Sequence, residues 1–395
     1  MIIEILISIF LGIILGIFTG FFPGIHVNLI NIILVQGIFN LNNDIDSIYL
    51  ALFILSLSVS NIFFSFIPSV FLGCPEEETS LSVLPGHKLL MKGEGYKAVR
   101  LTSKGILIGS FIFIILTPIL LFTIPYIYEK INKILFFILL IASLFLVLKE
   151  KNKKIAFFIF LLSGILGYFS LNSKVNQPLL PLFTGLFGVP LLLTNLKNKT
   201  KIQKQKIKEP KLRLNFKIFL SMILSSVLCG FLPGLGSSQA IVLGSIFQKI
   251  STENFLFLSG AVNILILGIS LIGLFSINKT RTGTAVALKE IFNNLITLKE
   301  LIFLIFILIL TSLICYFSIK KISRKVSLVI NKVNYQKISF FVLFFIGILT
   351  LIVSGFKGMI ILFVASLLGI YTNSYNISKT QMMGCLLIPT MLYYV

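Results

Sequence analysis

Gly20-Phe21-Phe22-Pro23-Gly24-Ile25-His26-Val27-Asn28 can be laid over Gly230-Phe231-Leu232-Pro233-Gly234-Leu235-Gly236-Ser237-Ser238 without a gap. Gly-Phe-x-Pro-Gly recurs at identical spacing, each copy inside a long apolar stretch, 4–38 and 216–248. A Pro-Gly pair removes a backbone donor and frees φ, so an apolar helix breaks there. Broken backbone at membrane depth persists only where it is buried in protein or lines a wet cavity. Two such interruptions in corresponding positions point to the central site of a secondary transporter. The half-helices that begin after Pro23-Gly24 and Pro233-Gly234 aim free N–H groups and positive dipole ends at the midplane. That arrangement binds an anion without a charged side chain. The candidate donors around Gly234 are Gly236, Ser237, Ser238 and Gln239; around Gly24 they are His26 and Asn28.

The composition agrees with a membrane chain. Of 395 residues, 57% are hydrophobic and 12% charged, mean hydropathy is +1.04, and Phe alone contributes 39. So few polar residues cannot cover such a core in water. A soluble enzyme, a disordered chain and a nucleic-acid-binding module are excluded. The formal charge of +21 is read as basic residues gathered in cytoplasmic loops, not as a polyanion site. Cys74, Cys229, Cys315 and Cys385 show no paired spacing and read as small packing residues, with no metal site. His26 and His87 lack a carboxylate-and-nucleophile set, and no phosphate-binding loop of the Gly-x-x-x-x-Gly-Lys-Ser/Thr type exists. The chain is therefore read as neither an enzyme nor an ATPase. Residues 1–18 lack a basic start and a cleavage site, and read as mature protein.

About 20 apolar residues in helical form cross a bilayer core. Besides the two interrupted segments, candidate spans are 48–72, 105–126, 133–148, 155–172, 178–195, 255–276, 299–319, 338–355, 357–372 and 380–394. Basic residues concentrate in 86–104, 149–154, 196–217 and 320–337, while 39–47 carries Asp44 and Asp46 with no Lys or Arg. Placing the basic loops inside, and letting each interrupted segment return to its own side, gives inverted halves. The expected fold is an all-α polytopic membrane protein of two inverted repeats. Each repeat opens with a Pro-Gly-broken helical hairpin, for about 10 full spans plus two hairpins. Residues 1–195 form the first repeat, 196–215 a basic cytoplasmic linker and 216–395 the second repeat. The Lys279/Arg281 loop falls outside in this scheme, against the charge rule.

Other polar residues in apolar surroundings keep two readings each. Asn61 and Asn263 either line a cavity or join two helices, with the cavity favoured for Asn263. Glu76-Glu77-Glu78 either binds a coupling cation or favours a helix start after Pro75. His26 is a neutral core histidine, or a ligand and proton-coupling group. Lys279 and Arg281 attract an anion or, the preferred reading, anchor at the interface. Lacking a nucleotide site, a chain that concentrates an anion must couple it to H+ or Na+. Sodium would be held by unwound carbonyls and hydroxyls around Pro23-Gly24 and Ser237-Ser238.

The paired Pro-Gly segments resemble those of the large permease subunit of tripartite tricarboxylate transporters (TctA-like), in particular its archaeal branch. Pro68-Ser69-Val70-Phe71-Leu72-Gly73 through Pro85-Gly86-His87, with Lys92-Gly93-Glu94-Gly95-Tyr96-Lys97-Ala98, is similar to that family's first long loop. Leu182-Phe183-Thr184-Gly185-Leu186-Phe187-Gly188-Val189-Pro190 looks like the end of its first half. Gly24-Ile25-His26 stands where many bacterial members have Gly-Leu-Gly, and Leu84-Pro85-Gly86-His87 where they tend to have an Asp-Gly-Tyr-Pro-like run. The resemblance implies a multi-pass permease in a cell membrane that carries a small carboxylate. It also implies a small membrane subunit and an extracytoplasmic binding protein as partners. The alternatives are a carrier of a lipid-linked phosphate and an intramembrane scaffold without transport.

Overall fold

The computed structural model describes residues 2–21, 30–31, 46–73, 83–197, 202–212, 214–232, 234–293, 295–330, 335–375 and 377–394. Pro23, Gly24, His26, Asn28, Cys74, the run Glu76-Glu77-Glu78 and Pro233 lie outside these residues. Every regular element among the described residues is helical, as a chain that must satisfy its own backbone in lipid requires. Among the described residues, seven helical stretches are long and apolar enough to cross a membrane: Ile2–Phe21, Ser47–Phe71, Gly95–Tyr128, Lys153–Asn172, Thr252–Ile277, Leu298–Val329 and Ser339–Ser374, the last interrupted at Gly355. Ile134–Leu148, Leu179–Thr194 and Phe216–Phe231 are shorter apolar helices.

Two of these helices form the centre. Ser47–Phe71 and Thr252–Ile277 each have 94% of their most apolar stretch buried, against 28–39% for the other five. Both are apolar on every side, as a helix enclosed all round must be. Ile2–Phe21 lies along the first central helix through three glycines one turn apart. Gly12 faces Phe53 and Ser56, Gly16 faces Leu57 and Ser60, and Gly20 faces Phe64 and Ser65. A Cβ at Gly16 would sit 2.3 Å from the Leu57 carbonyl oxygen, so only glycine permits this approach. Ser60 Oγ donates to the Ile13 carbonyl at 3.0 Å, and Asn61 Nδ2 donates to Thr19 Oγ1 at 3.1 Å. Asn61 is thus helix-joining glue, one of its two expected roles, worth about 0.5–2 kcal/mol.

The halves exchange neighbours around this centre. Gly95–Tyr128, from the first half, runs parallel to the second central helix, with Gly105 against Phe257, Gly109 against Ala261 and Gly268 against Phe113. Leu298–Val329, from the second half, runs parallel to the first central helix: Ser56 and Thr311 hydroxyls are 3.3 Å apart, and Cys315 meets Ser60. The two exchanged helices meet each other antiparallel. Ser110 Oγ donates to Ser312 Oγ at 3.0 Å, and Arg100 Nη1 donates to the Tyr316 carbonyl at 3.4 Å. The central helices therefore run in opposite directions.

Three basic loops converge on one end of the bundle. The linker docks there: Lys206 N–H donates to the Gly93 carbonyl at 2.7 Å, and Gln205 Oε1 accepts from Gly95 N–H at 2.7 Å. Glu209 collects Tyr96 Oη at 2.8 Å, Arg100 Nε at 3.2 Å, Lys320 Nζ at 3.7 Å and Lys104 Nζ at 3.8 Å. Burial works against the Glu209 carboxylate, but the Tyr96 hydrogen bond and the Arg100 and Lys104 charges outweigh it and hold its carboxyl below the usual range. Segments 86–104, 196–217 and 320–337, expected inside by charge, meet through these contacts.

Two breaks give hairpins. Helical residues over Tyr335–Ser374 are interrupted at Gly355, with φ 65° and ψ −167°, a region open to glycine alone. Val342 and Ile346 before it pack with Leu362 after it, so the arms return on each other. The second hairpin is the segment singled out by its Pro-Gly pair.

Candidate functional site at the second helix break

Asn215 starts this hairpin, its side chain accepting from the Ile218 N–H at 2.9 Å, and the helix runs to Phe231. Leu232 is extended and Gly234 takes φ +77°, which ends the helix. Ser237–Gly244 then returns beside Phe216–Phe231: Gly244 lies against Ser225, and Gln248 Nε2 donates to Ser221 Oγ at 2.7 Å. Residues 216–248 thus enter and leave on one side, as the sequence suggests.

The tip is wedged against the last helix, Gly384–Tyr393. A Cβ at Gly234 would fall 2.3 Å from Thr390 Oγ1 and 3.2 Å from the Leu386 carbonyl oxygen. At Gly236 it would meet only the Met383 terminal methyl, at 2.7 Å. Gly236 N–H donates to Gln239 Oε1 at 3.0 Å, so Gln239 folds back on the start of its own helix. The other end of that amide, Nε2, is fully buried, and Ser238 Oγ is nearly so. Neither has a hydrogen-bond partner among the described residues. Asn263, on the second central helix, is 4% exposed and lacks a partner at both Nδ2 and Oδ1. Ser238 and Gln239, adjacent at the start of the returning helix, thus keep polar atoms buried beside the break, where an unpaired one costs about 1–3 kcal/mol.

The residue that completes the site is Arg281. Sequence reasoning preferred an interfacial anchor, and the structure corrects this. The loop after Ile277 folds back into the protein because Ser270 Oγ accepts both the Arg281 N–H at 2.8 Å and the Thr282 N–H at 3.0 Å. Thr282 then caps the short helix Gly283–Ile291. Arg281 Nε donates to the Cys229 carbonyl and Nη2 to the Leu235 carbonyl, both at 3.1 Å, spanning the break. Lys279 is exposed and also lines the cavity beside Arg281. That cavity, of about 120 Å³, is lined also by Ser270, Thr280, Tyr128 and Tyr394, with Ile269 and Ile277 as apolar wall. At about 30 Å³ per water, it has room for a small organic anion. The guanidinium has five N–H donors, and two are used on the carbonyls.

Of the expected site residues, Gly234, Gly236, Ser237, Ser238 and Gln239 form one tip, and Asn263 lies on the helix against which Gly230 packs at Ile269. Gly24, His26 and Asn28 lie outside the described residues. Asn31, in the first interrupted segment, was missed by sequence reasoning. Its Nδ2 lies 3.4 Å from Ser58 Oγ and 3.5 Å from Thr284 Oγ1, a polar contact between the halves. Ser270 and Tyr394 were missed as well, and for Arg281 the less favoured of its two readings fits better. The signal for Arg281 was present: a basic loop on the face where the charge rule forbids one.

A family model described as "Tripartite tricarboxylate transporter TctA family" matches residues 6–384. An uncharacterized protein of Methanocaldococcus jannaschii is 33% identical over 358 residues, 87% of this chain and 88% of its own. No solved structure matches.

Proposed function

The chain belongs to the TctA family of tripartite tricarboxylate transporters, a family of membrane permeases and not of enzymes, and from that premise we propose that it is a secondary active carrier of a small carboxylate. The observation that carries this reading is the second break, where the Arg281 guanidinium both holds the Cys229 and Leu235 carbonyls and lines a small cavity, and where Ser238 Oγ and Gln239 Nε2 are buried at the start of the returning helix. Helix starts and guanidinium forks both select carboxylates. The cavity's lining, with Arg281, Lys279, Ser270 and Thr280 beside an apolar wall, suits a small anion.

In this reading the halves are inverted repeats, 1–195 and 216–395 joined by the linker 196–215. The antiparallel central helices and the exchanged neighbours support it. Gly24, His26 and Asn28 supply the first-half counterpart of Gly234, Gly236, Ser237, Ser238 and Gln239, with Asn263 facing the shared space. Uptake against an inside-negative potential costs about 2.3 kcal/mol per charge per 100 mV, so H+ or Na+ must accompany the anion. His26 is the proposed proton group. A small membrane subunit and an extracytoplasmic binding protein would deliver the substrate, as the family's tripartite make-up implies.

The test is uptake of labelled carboxylates into vesicles under an imposed pH or sodium gradient, for wild type and His26→Gln. Gradient-driven uptake is expected. Its absence for every carboxylate, with lipid phosphate moved instead, would overturn the cargo. Proton coupling unchanged in His26→Gln would remove His26.

A further inference from the structure

We propose that Arg281 is a tethered cation occupying the monovalent-cation position of the second helix break. The end of the Phe216–Phe231 helix and the unwound Leu235 offer carbonyl oxygens, and the last turn of a helix carries about half a negative charge. Such a cluster suits a small bare cation in broken-helix carriers. Here the Cys229 and Leu235 carbonyls, one before the break and one after it, are both taken by the same guanidinium at 3.1 Å. Leu235 O also accepts from Cys229 Sγ at 3.0 Å, which leaves it little room for a further partner. The backbone of Arg281 and Thr282 is pinned by Ser270, so the charge is delivered by a loop folded inward rather than by a side chain reaching in from the surface.

An Arg stays charged at any physiological pH. The carbonyls of the second break are therefore neutralised permanently, and no coupling cation enters or leaves them during a cycle. Any coupling ion must then bind elsewhere. This consequence rests on the carrier reading; the cation position itself does not, and its test needs no substrate.

The experiment is thermal unfolding of the purified full chain in NaCl or choline chloride at matched ionic strength, without carboxylates, for wild type, Arg281→Ser, Arg281→Gln and Arg281→Lys. Removing the charge exposes a cation site, so Arg281→Ser and Arg281→Gln should melt about 3–10 °C lower in choline. Sodium should recover much of that loss saturably, because an ion that binds only the folded state stabilises it. Wild type and Arg281→Lys should show no such additional sodium response. A sodium response in Arg281→Gln equal to that of wild type would overturn the proposal, as would wild-type stability of Arg281→Gln in choline. If Arg281→Ser does not fold, Arg281→Gln carries the comparison. Should Arg281→Gln be recovered from neither salt while Arg281→Lys is recovered from both, no free ion replaces the charge and the proposal fails; recovery from sodium alone supports it.

Discussion

Gly234→Ala and Gly236→Ala place the same methyl two residues apart on one tip, with opposite expected costs. Gly234 has φ +77° and its Cβ would stand 2.3 Å from Thr390 Oγ1, with the Leu386 carbonyl behind it at 3.2 Å. The left-handed conformation costs an alanine about 1–2 kcal/mol, and overpacking adds about 1–3 kcal/mol. The total is about 2–5 kcal/mol. Gly236 has φ −73°, which any residue adopts, and its Cβ meets only the Met383 terminal methyl, which can swing away. That substitution should cost under about 1 kcal/mol. Thermal unfolding of both variants and uptake into vesicles read the difference. Gly234→Ala should lower the melting temperature and abolish uptake, while Gly236→Ala changes stability little. Adding Thr390→Ala should restore part of the Gly234→Ala loss, since it removes the Oγ1 contact at 2.3 Å but leaves the Cβ contact at 2.8 Å and the strain. Equal stability of the two single variants would refute the tip geometry.

Asn263→Ala should keep or raise stability, by up to about 1–3 kcal/mol, while uptake falls; destabilisation would mean that the amide is structural. Gly16→Leu should undock the first helix, because its side chain would enter the Leu57 backbone, and loss of expression with recovery in Gly16→Ala would contradict a backbone clash at 2.3 Å. Glu209 has a depressed carboxyl, so its contribution is present above the ordinary carboxylate range and lost as pH falls through the lower folded value. Proteolysis at the linker lysines should accordingly accelerate at acid pH or high salt in wild type, and Glu209→Gln should show the fast rate at neutral pH. Cysteine accessibility should place Asn42 and Asn176 on one face and Lys97, Lys206 and Lys325 on the other; Asn42 sharing a face with Lys206 would break the inverted arrangement.

What the sequence made legible follows the strength of each local rule. Pro233-Gly234 admits no continuous helix, so the second break was readable from two letters, and the Gly355 break between spans 338–355 and 357–372 likewise. The convergence of 86–104, 196–217 and 320–337 was readable because lysines resist translocation wherever the chain puts them. Arg281 was read wrongly because its place depends on one long-range event, the Ser270 hydroxyl catching two backbone N–H groups. The one trace of it in the sequence is the basic loop on the wrong face. Lys379 hid for the same reason: it sits beside the last span in sequence, yet it is 5% exposed and directed at the Phe187 carbonyl, 3.5 Å away. The spans 105–126 and 133–148 were separated by composition, whereas helical backbone continues over Gly95–Leu148. Which helices are central was also not read, although both are apolar on every side.

The most direct test of the central claim is carboxylate binding at the second break. Wild type and Gln239→Leu, which keeps the side-chain size but loses both polar ends, would be melted against a panel of small carboxylates and against a short-chain lipid phosphate. A ligand at 100 times its Kd stabilises the folded state by about 2.7 kcal/mol. The account predicts that at least one carboxylate raises the wild-type melting temperature, that Gln239→Leu loses this response, and that the lipid phosphate has no effect. A carboxylate response left intact in Gln239→Leu, or stabilisation of wild type by the lipid phosphate alone, would contradict it.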